Sequence, residues 1–139
     1  MVLSSQSQSN LACGVAGWSY ADWRDTVYRL PEVSSSQLSL FPDLAPSRHD
    51  SAPRYATDPL SYLARYLDMV EVNSSFYRIP TAASTASWGK KTAFKPSFFF
   101  TAKIHQDFTH GYHRDTSLAR TFRQAFQPLH EAGRLRGLL

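Results

Sequence analysis

Glu71 and Lys103 are the residues in this chain best suited to chemistry. A carboxylate and an ammonium group brought together can hold a polar ligand, or exchange protons with it if burial moves either pKa toward neutrality. A purely structural pairing is the alternative, because an interior charge is tolerated when it is paired and hydrogen-bonded. Beyond Lys103 come His105, His110 and His113, whose imidazoles are a residue type suited to proton transfer or ligand binding. Their loop lacks a helical period that would turn all three to one side, and no cysteine is near, so no metal is predicted. A single catalytic or ligand-binding histidine suits them better. Trp18, Tyr20, Phe76 and Tyr77 offer faces on which a sugar or base could stack, and serve equally well as packing. Ser19, Asn73, Ser74 and Ser75 are hydrogen-bonding candidates without the context of a nucleophile elbow. No glycine-rich phosphate loop is present, and no cofactor is predicted.

The elements that must position these groups alternate as β-α-β-α-β-α. Apolar runs at residues 11–16, 69–73 and 97–103 read as strands, each followed by turn residues and then a helical pattern. In the first helix Asp58 is a cap, Pro59 fits the first turn, and Leu60, Leu63 and Leu67 recur on one side. The second helix is read over residues 82–88, with Gly89 as its stop. The third starts near Ser117 and carries the stripe Leu118, Phe122, Ala125, Phe126 and Leu129; Pro128 is expected to kink it or end it early, and Gly133 to stop it. Residues 136–139 read as entry to a fourth strand. Strands alternating with helices imply a parallel sheet with crossover helices, an α/β fold.

Residues 1–10 are polar and read as a disordered tail, and the Ser/Pro-rich stretch 29–57 as a disordered insertion. Residues 11–139 form the expected domain.

Three segments together give a resemblance. Gly17-Trp18-Ser19-Tyr20 with Trp23-Arg24 and Val27-Tyr28, then Glu71 to Pro80, then Phe98 to Lys103 with His105 and His110, are similar to the YecE-like family, domain of unknown function 72. The resemblance implies a partial TIM-type (β/α) barrel: about three βα units and the start of a fourth strand, the N-terminal half of the family's domain. It also favours His110 among the histidines. Asp25 departs from the family pattern, which commonly has glycine there, and the second half of the barrel is not in this sequence. In such a barrel Val70 and Val72 face the helices with Phe98, Phe100 and Ala102, while Glu71, Asn73, Phe99, Thr101 and Lys103 face inward. The reactive groups then gather at the C-terminal ends of the strands. The family is functionally uncharacterised, so the resemblance implies a fold and no reaction.

Composition narrows the rest. Hydrophobic residues are 42% and charged residues 19% of the 139, which suits a globular chain. A formal charge of +4 would favour an anionic partner, although the cations are scattered rather than clustered. No apolar stretch approaches the ~20 residues of a membrane span, and a cytoplasmic protein is expected. Cys13, in LACGVAG, is read as a buried, inert thiol. Three functions remain open: an enzyme acting on a small polar or anionic molecule through Glu71 and Lys103, a binding module for nucleic acid or another anion, and a fragment without function. Self-association is expected of the chain on its own, since an unclosed barrel leaves open edges.

Overall fold

The computed structural model describes residues 11–24, 26–29, 56–110 and 116–139. The expected tail 1–10 and all of the expected insertion except residues 29, 56 and 57 lie outside them, as do Asp25 and His113. Four strands form one parallel sheet in the order β1-β2-β3-β4: β1 Gly14–Ala16, β2 Met69–Val72, β3 Phe99–Ala102 and β4 Leu135–Leu138. Helices α1 Pro59–Tyr66, α2 Ala82–Lys91, α3 Gln106–Thr109 and α4 Thr116–Glu131 connect or flank them.

Each element begins where local chemistry says it should. Asp58 accepts a hydrogen bond from the Ser61 amide at 3.4 Å, and Pro59, with no amide to satisfy, opens α1. Burial alone would raise the Asp58 carboxyl, but hydrogen bonds from Lys91 and Ser61 outweigh it and hold the group below the usual carboxylate range. Thr81 caps α2 by accepting from the Ser84 amide at 3.1 Å. Gly133, at φ +67°, supplies the left-handed residue beyond α4.

The core lies on one face of the sheet. Val70, Val72, Phe98, Phe100 and Ala102 are fully buried there against Leu60 and Ala64 of α1 and Phe122, Ala125, Phe126 and Leu129 of α4. The expected two-residue alternation holds from Met69 to Val72 and from Phe98 to Ala102, whereas Asn73 and Lys103 fall just beyond the strand ends. Met69, Glu71, Phe99 and Thr101 point to the other face and are only partly covered.

Three expectations need correction. Gly89 does not stop α2, which runs two residues further to Lys91; a Cβ at Gly89 would stand 3.4 Å from Leu129, so its smallness lets α2 lie close to α4. Thr85 joins the same two helices, donating its hydroxyl to the Ala125 carbonyl at 2.6 Å. Of the two outcomes expected at Pro128, a kink or an early end, the early end is the one to correct, because the helix continues to Glu131. Cys13 is exposed rather than buried: it lies just ahead of β1, with its amide donating to the Asp68 carboxylate at 3.1 Å. That bond, and then Lys95, hold the Asp68 carboxyl below its ordinary range.

Candidate functional site

The segments beyond β1, β2 and β3 meet the ends of the sheet as a set of fixed turns. At the end of β1, Gly17 adopts φ +82° and its amide donates to the Glu71 carbonyl at 2.9 Å. Tyr20 folds back over this turn and donates its hydroxyl to the Ala16 carbonyl at 2.5 Å. The positive φ favours glycine at Gly17, and a Cβ there would come 2.5 Å from the Tyr20 hydroxyl and displace that side chain from the turn.

Trp18 is half-buried, edge-on to Trp88 at 5.0 Å, and packs against the core. Its carbonyl accepts the Tyr28 hydroxyl at 2.5 Å. Burial first, and the neighbouring Tyr20 second, push the Tyr28 phenol up to about 12. Trp18 is thus held by packing, whereas Ser19 is exposed and lines, with Tyr20, Arg24 and Tyr28, a cavity of about 350 Å³.

Beyond β2, Asn73–Phe76 forms a 3-10 turn. Ser75 is fully buried, its hydroxyl 2.7 Å from the Val72 carbonyl and 2.6 Å from the Lys103 carbonyl, so one hydrogen is shared between the ends of β2 and β3. Ser74 and Tyr77 are exposed and Asn73 is partly covered. Phe76 stands edge-on to Tyr77 at 5.1 Å and to His110 at 5.9 Å.

The two charged residues meet. Lys103 Nζ lies 3.8 Å from Glu71 Oε1, an ionic contact slightly too long for a hydrogen bond. The Glu71 side chain is 18% exposed and that of Lys103 44%, so the acid is held within the sheet's surface while the base reaches over it from the strand end. His105 is engaged with the backbone instead, where its Nδ1 accepts from the Asp107 amide at 3.3 Å and caps α3. The Asp107 carboxylate approaches the same nitrogen at 3.4 Å. His110 is exposed at the end of α3. The structure therefore brings Glu71 to Lys103 and Phe76 to Tyr77 and His110, with no hydrogen bond or ion pair joining the two groups among the described residues.

Two features of the sheet face opposite the core are not evident from the sequence. In β4, Gly137 pairs with Thr101 and Leu135 with Phe100, so a bulge places Arg136 and Gly137 together opposite one residue of β3. The Arg136 guanidinium lies 4.7 Å from the Phe99 ring centroid, on the same face as Glu71. The Thr101 hydroxyl oxygen is buried without a hydrogen-bond partner among the described residues. Alternation from Leu135 is the one signal that would point Arg136 away from the core, and it requires the strand to be traced from that residue.

The larger cavity, about 710 Å³, lies elsewhere. It runs between α4 and β4 and is lined chiefly by Ile104, Phe108, Phe122, Phe126, Leu135 and Leu138, on the helix side of the sheet. Its walls are mainly apolar, with Arg123, Gln127, His130 and Glu131 also along them. Among the described residues no group of three or more His, Cys, Asp or Glu could hold a metal ion, and no helix is long and apolar enough to cross a membrane.

Comparisons with known proteins agree with this picture at the level of the family. No curated protein matches the chain. Two crystal structures of a DUF72 family protein from Enterococcus faecalis V583 are similar to it at 24% identity and a TM-score of 0.48. One alignment covers 59% of this chain and 30% of that one, the other 55% and 32%, so the matched region spans about a third of the solved relative. The sequence pattern described as "Protein of unknown function DUF72" matches residues 12–139, and the chain belongs to that family.

Proposed function

We propose that the sheet is part of a TIM-type (β/α) barrel whose inner face and C-terminal rim bind a small polar or anionic molecule, with Glu71 and Lys103 exchanging protons with it. The contact between these two side chains, on the face that no helix covers among the described residues, carries the reading. Parallel strands in sequential order with α1, α2 and α4 on one face suit a singly wound sheet, and a doubly wound one would carry helices on both. In a closed barrel Glu71 would sit among other inward groups, where loss of bulk water strengthens its interaction with a ligand. Asn73, Ser74, Phe76, Tyr77 and His110 at the rim would then contact the ligand, with Trp18, Tyr20 and His105 shaping the turns that hold it.

The test is substitution of Glu71→Gln and Lys103→Ala here and at the matching positions of a longer family member. Turnover of a ligand found by metabolite screening is expected to fall by about 10²–10⁴, the usual share of acid–base catalysis. Unchanged binding and turnover in both variants would refute the assignment.

A second reading has its own observation. Strands β1 and β4 each have one side unpaired among the described residues, and the 710 Å³ apolar groove lies open beside β4. Unpaired edges and uncovered apolar surface favour association. The isolated chain is expected to elute as oligomers in size-exclusion chromatography at micromolar concentration. A monomer with a cooperative melt would count against it.

A further inference from the structure

We propose that Arg136 and Lys103 together form an oxyanion subsite on the inner face of the sheet, fitted to the phosphate group of a small phosphorylated ligand. This rests on the reading of that face as the binding site and names the chemistry it would take. The charges there do not balance. Glu71 is in contact with Lys103, whereas Arg136 meets only the ring of Phe99 and no carboxylate among the described residues. The three groups sum to one uncompensated positive charge, and Arg136 is exposed, so its guanidinium is open to an anion from solution.

Position adds to the charge. Two strand spacings, about 9–10 Å, separate the backbones of β2 and β4, and β3 lies between them. An ammonium reaching from the end of β3 and a guanidinium on β4 therefore flank the ground above Thr101 and Gly137, which pair in register. Gly137 has no side chain to fill that ground, and the Thr101 hydroxyl beside it lacks a partner among the described residues. The bulge turns Arg136 and Gly137 to the same residue of β3, so a donor fork and an open floor occur side by side. Guanidinium favours bidentate contact with phosphate, and ammonium adds a point charge. The Phe99 ring fixes one side of the guanidinium plane and leaves its N–H edges for an acceptor.

The experiment follows amide chemical shifts of the 139-residue chain as inorganic phosphate is added, against chloride at matched ionic strength. Saturable shifts are expected at Phe99, Thr101, Lys103 and Gly137 in the wild-type chain. Arg136→Gln should weaken the response at least about fivefold, and Arg136→Lys, which keeps the charge and loses the fork, should weaken it less. Glu71→Gln removes a repelling carboxylate, so phosphate affinity should be kept or rise even where proton exchange is lost. That contrast separates the two claims: turnover lost in Glu71→Gln with phosphate response intact supports both. Intact turnover in the same variant overturns only the role of Glu71. No saturable shift at those amides, or an equal response in Arg136→Gln with an unaltered wild-type-like spectrum elsewhere, overturns the subsite.

Discussion

Phe100→Ala is expected to lower the free energy of unfolding by about 4 kcal/mol, within the usual range for emptying a buried phenylalanine site. Phe100 has no exposed surface and occupies β3, an inner strand of the sheet. Its ring stands edge-on to Phe98 at 5.3 Å, and its amide donates to the Arg134 carbonyl at 2.7 Å. Removing the ring takes away apolar burial and leaves a space that sheet and helices cannot both close. Since whole domains are stable by only about 5–15 kcal/mol, the variant should be largely unfolded near physiological temperature. Phe100→Leu, which keeps most of the volume, should retain a cooperative transition. Urea denaturation followed by circular dichroism measures both; a loss under about 1 kcal/mol for the alanine variant would mean that this face is not the main core.

The second large effect is expected at Arg134. Its guanidinium donates to the carbonyls of Thr92, Lys95, Phe98 and Ala93 at 3.1–3.5 Å and approaches the Thr92 hydroxyl at 3.4 Å. These acceptors form the turn from α2 into β3, and Arg134 itself leads into β4, so one side chain fixes three elements at the N-terminal end of the sheet. Arg134→Ala should cost about 3 kcal/mol, because partly buried carbonyls lose charge-assisted bonds and are left with little water. Arg134→Lys should recover only part of this, a single ammonium being unable to span the same carbonyls. Equal stability of wild type and Arg134→Ala in the same urea titration would refute the clamp.

The contact between Glu71 and Lys103 is legible in the sequence because strand alternation is a strong rule and parallel register then sets the neighbours. The same rule places Val70, Val72, Phe98, Phe100 and Ala102 in the core. What is not legible depends on chain segments far apart in sequence. Gly89 has the appearance of a helix stop, and only the nearness of Leu129 explains why it lies inside one. Pro128 is tolerated within α4, a tertiary outcome that propensity opposes. Trp18 has the makings of a stacking platform, but Trp88 occupies the space beside it. Cys13 sits among apolar residues in the sequence, yet β1 begins one residue later and leaves the thiol outside. Arg136 is hidden by its place in a short terminal run, where two residues opposing one cannot be inferred without the partner strand.

The sequential order of the sheet also bears on how the chain folds. Cys13 and Asp68, which join β1 to β2, are 55 positions apart, whereas Ser75 and Lys103, which join β2 to β3, are 28 apart. Doubling a loop adds roughly 0.6 kcal/mol of closure entropy, and β1 offers only three paired residues in return. The segment from β2 to β4 therefore contains a sheet and core able to form before β1 arrives. Docking of β1 then completes the turn of Gly17 and Tyr20, so that segment would be the last to assemble and the first to open.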